Sequence, residues 1–172
     1  DVPNSGNNQF KPHQVRFSPD YSSYYVTAEA ADEVRVFNSV NNSLIAVIPT
    51  CKDPEEMAFS TTTPYLFVAS YEDAVAFAPN EGCVSVINYK TNTFVKNIYT
   101  GFQPHQLEVD DANGYVIVAN RNISTSGPAP HHKSSCTGRN GYATAIDLNT
   151  LSLIADFKAE VSVDPYSVSI KK

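Results

Sequence analysis

Three observations predict an all-β fold built of repeated antiparallel units. A proline-led motif recurs four times, a second apolar segment follows the first three copies at a fixed distance, and the composition favours strands and turns. The chain has 172 residues, 42% of them hydrophobic and 17% charged, with 10 Tyr and 9 Phe. A pleated sheet surface suits aromatic and β-branched side chains, and the frequent Asn, Ser and Thr suit the turns between strands.

The first strand of each unit is read from "KPHQVRFSP" at Lys11, "DPEEMAFST" at Asp53, "QPHQLEVDD" at Gln103 and "DPYSVSIKK" at Asp164. Each holds proline second, with apolar residues three and five places beyond it: Val15/Phe17, Met57/Phe59, Leu107/Val109 and Val168/Ile170. Period-two alternation puts such a pair on one strand face. The second strand, "YVTA", "FVAS" or "IVAN", begins 13 residues after each of the first three prolines. The links "SPDYSS", "STTTPY" and "DDANGY" have the length and composition of hairpin connections. A third strand is read at "VRVFN", "VSVIN" and "ATAID", and a fourth at "LIAVI", "FVKNI" and "LIADF".

Successive prolines lie 42, 50 and 61 residues apart, and most of the growth falls between second and third strands, whose first positions have 8, 16 and 25 residues between them. Insertions at one topological position of a repeat protein lie on one face, commonly the binding face. Tandem four-stranded units of this length are the blades of a β-propeller. The expected organisation is a lead-in over 1–10, blades over 11–52, 53–102 and 103–163, and the first strand of a fourth blade over 164–172.

"YVTA" and "IVAN", together with "FSPDYSSYYVTA", "VINYKTNTFVKNI" and "AIDLNTLSLIADF", resemble the repeat of the YVTN family of β-propellers. The likeness spans residues 11–170. It implies a propeller that is usually seven-bladed and extracytoplasmic: periplasmic, at the cell surface or secreted. Trp is absent, so the tryptophan-aspartate signature of another propeller class is missing. Three complete units fall short of the four or more blades of a closed propeller. The remaining blades are expected from further chain or from another subunit.

The net charge of −6 and the lack of a Lys/Arg cluster argue against a nucleic-acid partner, which needs a basic patch. No apolar run approaches the roughly 18 residues of a membrane-spanning helix. Cys51, Cys83 and Cys136 form no CxxC or CxxCH pattern, which speaks against a zinc knuckle or c-type haem attachment within the chain.

Propeller topology places the residue after each proline, His13, Glu55, His105 and Tyr166, at the mouth of the innermost strand. One reading is a ring of polar side chains able to bind a metal or an anionic ligand; the other is histidine packed on the adjacent proline and bonded to a neighbouring blade. Glu55 and Tyr166 at equivalent positions exclude a symmetric histidine ring here. Glu55-Glu56 is either an acid/base near the channel or a pair of solvated strand-end carboxylates.

The loop "NRNISTSGPAPHHKSSCTGRN" (120–140) is expected on the same face, with His131, His132 and Arg139 as recognition residues. His131, His132 and Cys136 are weaker candidates for zinc or copper. The favoured reading is an ordered loop whose Cys136 pairs with Cys83 or Cys51, leaving one cysteine unassigned. The expected function is a binding scaffold that meets a protein, a small ligand or a surface polymer with its long loops and carries no cofactor. The alternative is a metal-dependent, hydrolytic or redox enzyme, with copper or zinc near His13, Glu55 and His105.

Overall fold

A computed structural model describes residues 10–71, 81–122, 140–163 and 165–171. Among them run eleven strands: β1 Pro12–Phe17, β2 Ser23–Ala28, β3 Glu33–Asn38, β4 Leu44–Pro49, β5 Pro54–Phe59, β6 Tyr65–Ser70, β7 Glu81–Asn88, β8 Thr93–Asp110, β9 Tyr115–Asn122, β10 Asn140–Asp147 and β11 Ser152–Val163. All pairings between consecutive strands of a sheet are antiparallel. Strands β1 to β4 form the first four-stranded blade and β5 to β11 a second, continuous sheet.

The long sheet contains two blades that share β8. Its first half pairs with β7, from Asn88↔Thr93 to Glu81↔Phe102, and its second half with β9, from Phe102↔Asn122 to Asp110↔Tyr115. The sequence divides this stretch into "FVKNI" and "PHQLEV"; the fold runs them together as the outer strand of one blade and the inner strand of the next. Pro104 sits at the change of partner, where a missing N–H costs the ladder nothing.

The recurring proline marks the same local device in every blade. The residue before it is left-handed, with φ of 44° at Lys11, 54° at Asp53 and 56° at Gln103. The register then shifts between Pro12 and Val15, between Pro54 and Met57, and between Pro104 and Leu107. Such a bulge turns the strand and re-aims the side chains inside it. Those side chains include His13, Glu55 and His105.

Hairpins between third and fourth strands close on a second repeated device. Asn38 Oδ1 accepts from the N–H groups of Val40 and Asn41, Asn88 Oδ1 from Lys90 and Thr91, and Asp147 Oδ1 from Asn149 and Thr150. These Asx turns satisfy backbone donors that no ladder reaches.

The blades stack face to face around two cores. Tyr25, Val34, Val36 and Ile48 of the first blade meet Met57, Leu66, Val68 and Ile87 of the second. Phe67, Ala69, Val84 and Val86 on the opposite face of the second blade meet Leu107, Val109, Val116 and Val118 of the third. Strand β6 is therefore buried on both sides, which is why "LFVA" is apolar without alternation. Residues 165–171, where the first strand of a fourth blade is expected, lie beside β8. They carry no ladder of their own and are tied to β8 by Val168 N–H donating to Gln106 Oε1 at 2.8 Å.

Candidate functional site

The three bulges deliver their side chains to one place. His13 Nε2 lies 2.8 Å from Glu55 Oε2, and His105 Nε2 lies 3.7 Å from the same oxygen. The His13 and His105 rings stand edge to face with centroids 6.0 Å apart. Tyr166 completes the group, its ring centroid 3.9 Å from that of His105. Residues at one sequence position in four successive units thus converge. His105 and Glu55 are 0% and 3% exposed, whereas Tyr166 faces outward at 42%.

The backbone beneath the cluster is pinned across blades. Gln14 Oε1 accepts from Met57 N–H at 2.6 Å, as Gln106 accepts from Val168. Gln14 also donates through Nε2 to Glu56. Thr27 Oγ1 donates to the Glu55 carbonyl at 2.8 Å and accepts from Gln14 N–H at 2.9 Å. The first two blades are thereby locked at the level of the bulges.

Electrostatics follow from this packing. The Glu55 carboxylate bonded to His13 raises the pKa of the imidazole above its usual value, against the lowering effect of burial. Burial raises the Glu56 carboxyl, partly offset by the His13 charge. Glu56 Oε1 lies 3.9 Å from His13 Nδ1. Two imidazoles and a carboxylate thus present donor atoms that all lie within 4.8 Å of one another, a set able to hold a metal ion or to move a proton.

Arg121, at the end of β9, was not among the expected site residues. It is 1% exposed, with Cζ 5.9 Å from the Tyr166 ring centroid. In the sequence it stands beside a long polar loop, where an arginine reads as solvated; only the three-dimensional stacking of blades buries it.

His131, His132, Cys136 and Arg139 lie outside the described residues. The disulfide expectation is corrected: Cys51 bonds to Cys83, with Cα atoms 6.4 Å apart, so Cys136 is not the partner of either. The β4–β5 connection runs past the start of β7, and Cys51 N–H donates to Ser85 Oγ at 2.9 Å. That contact seats Cys51 beside Ser85, two residues along the strand from Cys83.

The paired blades and the strand-start cluster define an all-β protein of propeller-like fold. Solved structures of the same kind are similar over nearly the whole chain. A proposed 6-phosphogluconolactonase from Bacteroides fragilis shares 17% identity at a TM-score of 0.63, over 92% of this chain and 41% of its own. A protein from Lactobacillus plantarum shares 18% at 0.63, over 92% and 44%. A proposed 6-phosphogluconolactonase from Bacteroides uniformis shares 16% at 0.61, over 91% and 42%. The chain spans less than half the length of these structures. No protein-family profile and no curated protein matches it. Identities this low establish the fold and not the YVTN family itself.

Proposed function

We propose that the chain is part of an extracytoplasmic, YVTN-like β-propeller that acts as a ligand-binding scaffold, with its site at the strand-start cluster. The observation that carries this reading is the convergence of His13, Glu55, His105 and Tyr166. Burying a carboxylate and imidazoles is costly unless they are paired or put to use, and perturbed ionisable groups concentrate at functional sites. Two imidazoles beside the partly exposed Tyr166 ring can donate to a small anionic molecule, which is the ligand class to test first. The Cys51–Cys83 disulfide supports an oxidising compartment. Among the described residues no helix is long and apolar enough to cross a membrane. The remaining blades, from further chain or another subunit, would cover the exposed faces of this arc.

The test is thermal denaturation of the full-length protein against small carboxylates, sugar phosphates and aldonolactones. A ligand raises Tm in the wild type and fails to do so in Tyr166→Ala. If no compound raises Tm, and alanine at His131, His132 and Arg139 leaves attachment to surface polymers and proteins unchanged, the scaffold reading is lost. A second reading, hydrolysis, is favoured by the 2.8 Å contact of His13 with Glu55, a general acid/base arrangement. Lactone turnover abolished by Glu55→Gln would support it.

A further inference from the structure

We propose that His13, Glu55 and His105 form a binding site for a divalent first-row transition ion, zinc being the ion tested first. This rests on reading the cluster as the binding site and names what it holds.

Geometry is the first argument. Zinc bonds imidazole nitrogen and carboxylate oxygen at about 2.0–2.2 Å, so tetrahedral ligand atoms sit about 3.3–3.6 Å apart. The donor atoms here are separated by 2.8 Å and 3.7 Å from Glu55 Oε2, and all three lie within 4.8 Å of each other. These separations bracket the tetrahedral spacing, so an ion between them calls for small side-chain adjustments. Two imidazoles and one carboxylate suit zinc and its neighbours, whereas calcium and magnesium prefer all-oxygen shells.

Support around the donors is the second argument. A ligating histidine usually has its other ring nitrogen held by an acceptor. If His13 binds through Nε2, its Nδ1 faces Glu56 Oε1 at 3.9 Å, and Glu56 is itself held by Gln14. The Thr27 bond to the Glu55 carbonyl and the Gln14 bond to Met57 fix two of the contributing strands. His105 is backed by the Tyr166 ring.

Access is the third. The His105 side chain is 0% exposed and that of Glu55 4%, but that of His13 is 21% exposed. Three protein ligands, closed on one side and open on the other, leave a coordination position for water or for an anionic ligand, unlike the four-ligand shell of a structural zinc.

The test is calorimetric titration of the full-length protein, stripped with EDTA, with zinc chloride and separately with copper(II) chloride. One equivalent per chain is expected. Glu55→Gln and His13→Ala should each weaken binding by at least 100-fold, and Glu56→Gln by about 10–100-fold, the usual cost of losing a partner behind the ligand. Because His105 is wholly buried, Glu55→Gln, which keeps the side-chain volume, is the decisive variant, with its circular dichroism and melting in EDTA compared with wild type. No saturable binding of either ion by the wild type, or binding undiminished in folded Glu55→Gln, overturns the proposal. If the metal fails while a small molecule still raises Tm in a Tyr166-dependent way, the cluster remains a ligand site without metal; if neither binds, both readings fall.

Discussion

At the residue scale, single side chains fasten one blade to the next at both ends of the inner strands. At the cluster end Gln14 and Gln106 do so through backbone N–H groups. At the opposite end Asp111 of the third blade accepts from Ser60 Oγ, Thr61 N–H, Thr61 Oγ1 and Thr62 Oγ1 of the second, at 2.6–2.9 Å. Burial pushes the Asp111 carboxyl up, but these donors outweigh it and hold its pKa at about 2. A carboxyl depressed below its unfolded value of about 3.9 contributes stability above that pH and loses it as pH falls towards about 2. Asp111→Asn is therefore expected to lower Tm at pH 7 by a few degrees and to flatten the loss of stability between about pH 4 and pH 2, as read from melting curves across that range. Gln14→Ala strands the Met57 N–H and should cost about 1–3 kcal/mol in urea denaturation.

At the element scale, the bulge behind each proline and the Asx turn of each outer hairpin do most of the shaping. Asn88→Ala removes an acceptor shared by two backbone donors and should destabilise by about 1 kcal/mol, with Asn38→Ala similar, as measured by chemical denaturation. Strand β8 depends on Gly101, whose φ of +149° is poorly tolerated by other residues and whose missing side chain leaves room for the Tyr142 hydroxyl. That hydroxyl accepts from Phe102 N–H at 3.2 Å. Gly101→Ala forces Tyr142 aside and should cost about 1–3 kcal/mol, an overpacking penalty that a combined Tyr142→Phe change does not remove, because the added Cβ would also meet Tyr142 Cζ and Asn120 Oδ1. The period-two pattern and the phase-locked prolines made the strands and their order legible. They did not show that β8 is continuous, because a proline inside a strand reads as a break, and the change of pairing partner that tolerates it is not a local property.

At the scale of the whole molecule, stability comes from stacking, since no blade buries both its faces alone. The second blade is covered on either side, but the first leaves Val15, Phe17, Leu44 and Val47 about half exposed along one face. Register places Phe17, Tyr24, Phe37 and Leu44 in one row across that sheet. If a further blade covers the row in the complete protein, Phe17→Asp should cost well above about 1 kcal/mol there, where a solvated surface change stays within about 0.5. The Cys51–Cys83 bridge spans 32 residues, joining the first blade's exit to the second blade. Its removal by paired Cys→Ala substitution is expected to lower unfolding free energy by about 2–4 kcal/mol under non-reducing conditions.

The sequence by itself determined the all-β class, the repeat of antiparallel hairpins and the equivalence of His13, Glu55, His105 and Tyr166 as the residues after each recurring proline, because a repeat that preserves spacing gives equivalent residues equivalent places. It did not decide which cysteines meet, that Arg121 would be buried beside Tyr166, or that Gln14 and Asp111 would clamp adjacent blades. Those depend on contacts between units, and the packing angle and insertion paths that create such contacts are set by the summed burial of two sheet faces. Only the assembled tertiary structure decides them.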